Sequence, residues 1–217
     1  MTINGQMQPA QLTIGSILDY AVRAHGNRPV VSVEPGSADL WRYNYAGLAR
    51  RTAQSANMLA AAGVTSGDRV SSLGWNTHRH LELFYAVPGL GAVLHTANPR
   101  LSDEQLIYTL NHAESRVLLF EANLAALVER IAPALHHVET FIVLSDEALA
   151  AGGELEARAY DTLLAQFPET ISWPMFDENS AAFLCYTSGT TGDPKGVLYS
   201  RRAVVLHAMG ASLASAF

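Results

Sequence analysis

The residues with the clearest chemical potential form one segment, 186–196, with the sequence Tyr-Thr-Ser-Gly-Thr-Thr-Gly-Asp-Pro-Lys-Gly. Its three glycines permit a tight turn that brings backbone N–H groups close to a ligand without interference from Cβ atoms. Its serine and threonine hydroxyls can donate to phosphate oxygens or face a divalent cation, and Lys195 adds one mobile positive charge. The segment therefore predicts a loop that binds a polyphosphate.

This segment differs from a Walker A loop, in which a lysine follows glycine and precedes serine or threonine. Lys195 stands instead between Pro194 and Gly196, and the chain continues into a predicted strand at 197–199 rather than directly into a helix. A helix dipole is therefore not the main device for binding phosphate here. By composition alone, a flexible turn between two strands explains the segment equally well.

The order of residues in 186–196 resembles, almost letter for letter, the AMP-binding signature of the adenylate-forming superfamily. That superfamily includes acyl-CoA ligases, nonribosomal peptide adenylation domains and luciferases. Three further segments, 95–101, 111–120 and 197–203, are similar to the fatty-acyl-CoA ligase branch. The resemblance thus covers most of the chain, and the signature is its most specific part.

The resemblance implies a two-step reaction on a fatty or other carboxylic acid. The acid and ATP give an acyl-adenylate and pyrophosphate, and the thiol of coenzyme A then displaces AMP to form a thioester. ATP, Mg²⁺ and coenzyme A are the implied cofactors and co-substrates. Thr187 is the candidate Mg²⁺ ligand, and the positions that match the family's phosphate-binding residues are Thr187, Ser188, Gly189, Thr190, Thr191, Gly192 and Lys195.

In the family, the adenine and ribose motifs, the acidic metal ligand and the catalytic lysine lie downstream of the signature. We therefore expect residues 1–217 to be a partial N-terminal AMP-binding domain with no catalytic residue of its own, inactive alone. The resemblance also implies a homodimer joined through the N-terminal region. Two other functions stay open: a non-catalytic domain that only senses ATP, and an interaction fragment whose N-terminal helix pairs subunits.

Alternating helical and strand-like segments surround the signature and predict an α/β fold, a mostly parallel sheet with helices on both faces. The resemblance identifies it as the N-terminal part of the large domain of an adenylate-forming enzyme. One predicted helix begins after Thr77 and has Leu81, Phe84 and Tyr85 on its apolar face. The predicted strands are 29–34, 40–45, 69–73, 92–96, 116–120, 140–144, 181–186 and 197–199.

The composition excludes several classes of protein. A net charge of −6 disfavours a nucleic-acid backbone as the main ligand. The single cysteine, Cys185, excludes an internal disulfide and a cysteine-based zinc site, and it fits a reducing cytoplasm. Residues 1–15 lack the features of a signal peptide, and no apolar run approaches the length of a membrane span. We expect a cytoplasmic protein.

Other candidate residues favour structural roles. His78 and His80, with Glu82 nearby, suggest a metal site, but an i, i+2 pair does not share one face of a helix. The pair at 136–137 is interpreted as a solvated helix end, and Cys185 as a small core residue. His207 is assigned to the core or surface in preference to an acyl or coenzyme A channel. No G-x-S-x-G elbow is present, so Ser188 is not a hydrolase nucleophile.

Overall fold

A computed structural model describes residues 3, 5, 10–36, 40–149, 155–187 and 193–213. Its helices are α1 Ile14–His25, α2 Tyr45–Ala61, α3 His78–Gly89, α4 Asp103–His112, α5 Ala125–Ile131, α6 Tyr160–Leu164 and α7 Arg201–Ala211. Its strands are β1 Pro29–Val33, β2 Leu40–Asn44, β3 Arg69–Leu73, β4 Val93–Thr96, β5 Ser115–Phe120, β6 Thr140–Val143, β7 Ala157–Ala159, β8 Ala181–Thr187 and β9 Lys195–Ser200. None of these helices is long and apolar enough to cross a bilayer.

Seven strands form one sheet in the order β7-β6-β5-β3-β4-β8-β9, while β1 and β2 form a separate antiparallel hairpin. All neighbours in the large sheet are parallel except β8 and β9, which are antiparallel. The order β4-β3-β5-β6-β7 is that of a doubly wound, flavodoxin-like sheet. The predicted α/β fold with a mostly parallel sheet is confirmed.

Helices cover both faces of this sheet, as the sequence predicts. Strand β5 contributes to two apolar clusters, one on each face of the sheet. Val117 and Leu119 belong to the first cluster, and Leu118 and Phe120 belong to the second. The first cluster includes residues of α1, α2, α3 and α6, and the second includes residues of α4 and α5. A strand buried on both sides needs a continuous apolar run, which is what the sequence of β5 provides.

Capping residues set several helix boundaries. Ser102 and Gln105 form a reciprocal capping box at the start of α4, with Oγ of Ser102 accepting from the Gln105 backbone N–H. The Asn44 side chain caps α2 by accepting from the backbone N–H of Gly47. Gly63 follows α2 with a φ of +83°, a conformation that favours glycine. The chain turns there toward β3.

One sequence prediction needs correction, and one strand was not predicted. The buried apolar residues of α3 are Leu83, Ala86, Val87 and Pro88, whereas the predicted face of Leu81, Phe84 and Tyr85 is only half-buried. The reason is that α3 is packed on more than one side, so its polar residues are buried as well. The structure also contains β7, a three-residue strand parallel to β6 that is too short to show a period-two pattern.

Candidate functional site

Strands β8 and β9 form an antiparallel pair, and the signature segment 186–196 includes the last residues of β8 and the first residues of β9. Thr187, the last residue of β8, pairs directly with Lys195, the first residue of β9, and both are exposed. Directly opposite residues of an antiparallel pair project from the same face. The side chains of Thr187 and Lys195 therefore leave the strand pair from the same face, at directly opposite positions.

The other predicted phosphate-binding residues, Ser188, Gly189, Thr190, Thr191 and Gly192, lie outside the described residues. The structure thus brings together the two ends of the predicted set, Thr187 and Lys195. The sequence places Lys195 in the loop before a strand at 197–199, but β9 already begins at Lys195. Backbone pairing with Thr187 consequently holds the position of the lysine.

The hairpin root lies at the carboxyl edge of the parallel sheet. Strand β8 runs parallel to β4, with Leu94 opposite Phe183 and His95 opposite Leu184. The carboxyl ends of parallel strands are where open α/β sheets bind ligands. Cys185 is half-buried rather than a fully buried core residue, and its Sγ lies 3.6 Å from Oγ1 of Thr96 at the end of β4.

On the opposite face of β8, Tyr186 packs against a group of polar side chains. Its hydroxyl and Nδ1 of His112 share a hydrogen bond of 2.7 Å, and its ring centroid lies 5.0 Å from that of His95. His95 is buried, and its Nδ1 lies 2.8 Å from Oγ of Ser71, which in turn bonds Oγ of Ser115. Burial lowers the pKa of His95 to about 4 and raises that of Tyr186 to about 12, so both are neutral at pH 7.

His78, His80 and Glu82, the residues that suggest a metal site, lie in three different environments. The His78 ring stacks on Trp41 with 4.4 Å between centroids, and within the described part of the chain neither of its ring nitrogens has a hydrogen-bond partner. His80 instead bonds Oγ of Ser72 and the carbonyl of Trp75. Among the residues that the structure describes, no three His, Cys, Asp or Glu side chains are grouped so that they could hold a metal ion.

Glu82, the third member of that set, belongs to a buried ion network. Its carboxylate accepts from Nε of Arg51 at 2.6 Å and from the Tyr160 hydroxyl at 3.0 Å. Arg51 also bonds Asp161, and Asp161 bonds Arg79. Sequence reasoning missed this network because Arg51 and Glu82 are 31 residues apart, and Arg79 and Asp161 are 82 apart. The sequence signal for this network is the presence of basic and acidic residues on α3, a helix that is mostly buried.

The remaining histidine candidates lie at the surface. His136 and His137 are exposed after a short 3₁₀ turn, in agreement with a solvated helix end. His207 is exposed on α7, so the surface assignment holds.

Comparisons with known proteins agree with the fold. Residues 18–216 match the AMP-binding enzyme family. The chain is 46% identical over 211 residues to the 3-methylmercaptopropionyl-CoA ligase of Ruegeria pomeroyi, covering 96% of this chain and 39% of that protein. It is 44% identical over 206 residues to the medium-chain-fatty-acid–CoA ligase of Ectopseudomonas oleovorans, covering 94% and 38%. The chain thus spans about two-fifths of the length of these relatives.

The crystal structure of the anthranilate CoA ligase AuaEII in complex with anthranoyl-AMP superposes with a TM-score of 0.82. The match covers 95% of this chain and 38% of that one at 22% sequence identity, so it shows a shared fold.

Proposed function

The chain belongs to the AMP-binding enzyme family, and from this membership we propose that it holds the phosphates of ATP in an AMP-forming acyl-CoA ligase. The relatives above are acyl-CoA ligases, the class that activates a carboxylic acid as its adenylate and transfers the acyl group to coenzyme A. The observation that carries the proposal is the direct pairing of Thr187 with Lys195 at the root of the signature loop.

The chemistry of acid activation explains what this pair does. A carboxylate oxygen bonds to the α-phosphorus of ATP, and the bond from that phosphorus to the bridging oxygen breaks. The electron pair leaves on pyrophosphate, so negative charge grows on the departing group. The ammonium group of Lys195 offsets that charge, and the Thr187 hydroxyl donates to a phosphate oxygen beside it.

Mg²⁺ fits the donor chemistry at this edge of the sheet, since the exposed Thr187 hydroxyl is a hard oxygen of the kind that this ion prefers. When bound, the ion would share the neutralisation of phosphate charge. Within this chain Thr187 is the residue proposed to face it. Lys195 would act alongside it as a cation on a mobile side chain whose backbone is held by the strand pairing.

We propose a medium-chain fatty acid as the acid, with 3-methylmercaptopropionate as the competing candidate. These two choices follow from the two relatives described above, both similar to this chain over more than nine-tenths of its length. We also propose that residues 1–217 form part of a larger N-terminal domain and do not complete the reaction alone. The parent protein is further proposed to be a cytoplasmic homodimer paired through its N-terminal region.

The test is an acid-dependent pyrophosphate assay on the full-length protein with ATP and Mg²⁺. Octanoate, palmitate and 3-methylmercaptopropionate would be supplied separately, with and without coenzyme A. The proposal expects pyrophosphate only when an acid is present, and acyl-CoA when coenzyme A is added. Binding of ATP without pyrophosphate release from any acid would instead support a nucleotide-sensing domain.

A further inference from the structure

Tyr186 is attached to the rest of the fold more firmly than the exposed hairpin root that follows it. Its ring lies across Gly196, its partner on β9, where an added Cβ would meet the ring at 3.4 Å. It packs against the ring of His95 and bonds His112 through its hydroxyl. Three elements, β4, β9 and the end of α4, therefore meet at this one side chain.

The contacts behind Tyr186 continue across the sheet. Ser115, Ser71 and His95 lie on the adjacent strands β5, β3 and β4, and hydrogen bonds join their side chains in that order. All three are buried with at most 1% of their surface exposed, so the group is fixed by the surrounding core. The buried His95 ring is thus a fixed packing surface for the Tyr186 ring on the side that faces away from solvent.

His112 completes the attachment from the last turn of α4. Its ring stacks on Tyr108 with 5.5 Å between centroids and meets the Tyr186 ring edge-on at 5.8 Å. The hydrogen bond to Tyr186 therefore comes from a side chain that α4 itself orients. It joins two residues 74 apart in sequence.

We propose that Tyr186, held by His112 and His95, is a positioning residue that sets the location of Thr187 and Lys195 for the phosphates of ATP. Tyr186 directly precedes Thr187 in the sequence. It pairs through its backbone with Gly196, which directly follows Lys195 on the other strand. A ring free to move would let both strand ends shift together. This inference rests on the proposed function, because it assigns Tyr186 to the same site.

The experiment compares Tyr186→Phe, His112→Phe and the double variant in the full-length protein. Each substitution keeps a ring and removes the hydrogen bond, so each should raise the KM for ATP in acyl-adenylate formation about fivefold, the effect of one neutral hydrogen bond. The KM for ATP of the double variant should rise no further than that of either single variant, because both substitutions remove the same bond. His112→Asn, which keeps a polar group near the position of Nδ1, should restore the KM to within twofold.

A matched control separates positioning from general loss of stability. Tyr160→Phe also removes a tyrosine hydroxyl from a hydrogen bond, in this case to Glu82 and away from the hairpin. It should leave the KM for ATP within twofold of the parent value. Conversion of added acyl-adenylate to acyl-CoA should be unchanged in all of these variants.

An unaltered KM for ATP in Tyr186→Phe and His112→Phe would overturn the inference. So would a KM in the double variant that is raised by the product of the two single effects. An equally large loss of activity in the thioester step would overturn it as well. Calorimetric titration with MgATP keeps this test separate from that of the proposed function. If the parent protein binds MgATP but forms no acyl-adenylate, the proposed function fails, and a fivefold weaker Kd in Tyr186→Phe still supports the positioning role. Absence of MgATP binding would overturn both.

Discussion

His78 should make the stability of the chain depend on pH. Its side chain is 1% exposed and stacks on Trp41 with an interplanar angle of 8°, and both ring nitrogens lack a hydrogen bond to any residue that the structure describes. Burial first, and then the positive charges of Arg79 and Arg51, lower its pKa from 6.5 to about 3. Protonation of the folded state is therefore strongly disfavoured.

The sign and size of the effect follow from linkage. Between pH 6.5 and pH 3 the unfolded chain binds a proton at His78 and the folded chain does not, so stability falls as the pH decreases through this range. Above pH 6.5 the ring is neutral in both states and His78 adds no pH dependence. One pKa unit corresponds to about 1.4 kcal/mol. The fall from pH 7.5 to pH 5.0 therefore removes about 2 kcal/mol of unfolding free energy.

The test is the variant His78→Phe, which keeps an aromatic ring against Trp41 but cannot titrate. Urea unfolding of the parent and the variant at pH 7.5 and pH 5.0 gives four free energies of unfolding. From pH 7.5 to pH 5.0, the unfolding free energy of the parent should fall by about 2 kcal/mol more than that of the variant. His137→Phe, at an exposed position, is the control and should follow the parent. A His78→Phe variant that also parallels the parent at both pH values would refute the reasoning.

Three further predictions concern packing, the ion network and association. Gly91→Ala should lower the melting temperature by at least 5 °C more than Gly67→Ala, since both glycines have positive φ but only at Gly91 would a Cβ overlap the ring of Phe176; equal shifts would argue against that contact. Glu82→Gln should destabilise the chain by about 3 kcal/mol in urea unfolding, because it removes the charge of the fully buried Glu82 side chain and leaves half-buried Arg51 with a weaker partner; a change below about 1 kcal/mol would contradict a stabilising pair. Light scattering of the full-length protein should give the mass of a dimer, and a monomer at every concentration would contradict the proposed pairing.

The sequence was sufficient wherever local chemistry decides structure. The capping box of Ser102, the glycine at 63 and the apolar run of β5 each specify an element boundary or burial through neighbouring residues alone. The signature segment likewise indicates its hairpin, because its glycines and hydroxyls lie between two short apolar strands. These features need no knowledge of distant contacts.

Features that depend on distant partners could not be predicted in this way. The sequence of α3 carries charged and aromatic residues on several sides, and its buried face is decided by Arg51 from α2 and Asp161 from α6. The contact between Tyr186 and His112 joins residues that no local pattern relates. Lys195 belongs to β9 because β8 offers it a pairing partner, a fact that its own neighbours do not reveal.

The most direct test of the central claim measures the two half-reactions separately in the full-length variant Lys195→Met, with Arg202→Met, which removes an exposed cation paired with Glu178, as the control. If Lys195 offsets charge on departing pyrophosphate, acyl-adenylate formation should slow about 10²–10³-fold, the loss typical of one charge-assisted contact in a transition state. Added acyl-adenylate should still be converted to acyl-CoA at near the parental rate, and the control should retain both activities. Equal losses in both half-reactions of Lys195→Met would contradict the assignment of this hairpin to pyrophosphate departure.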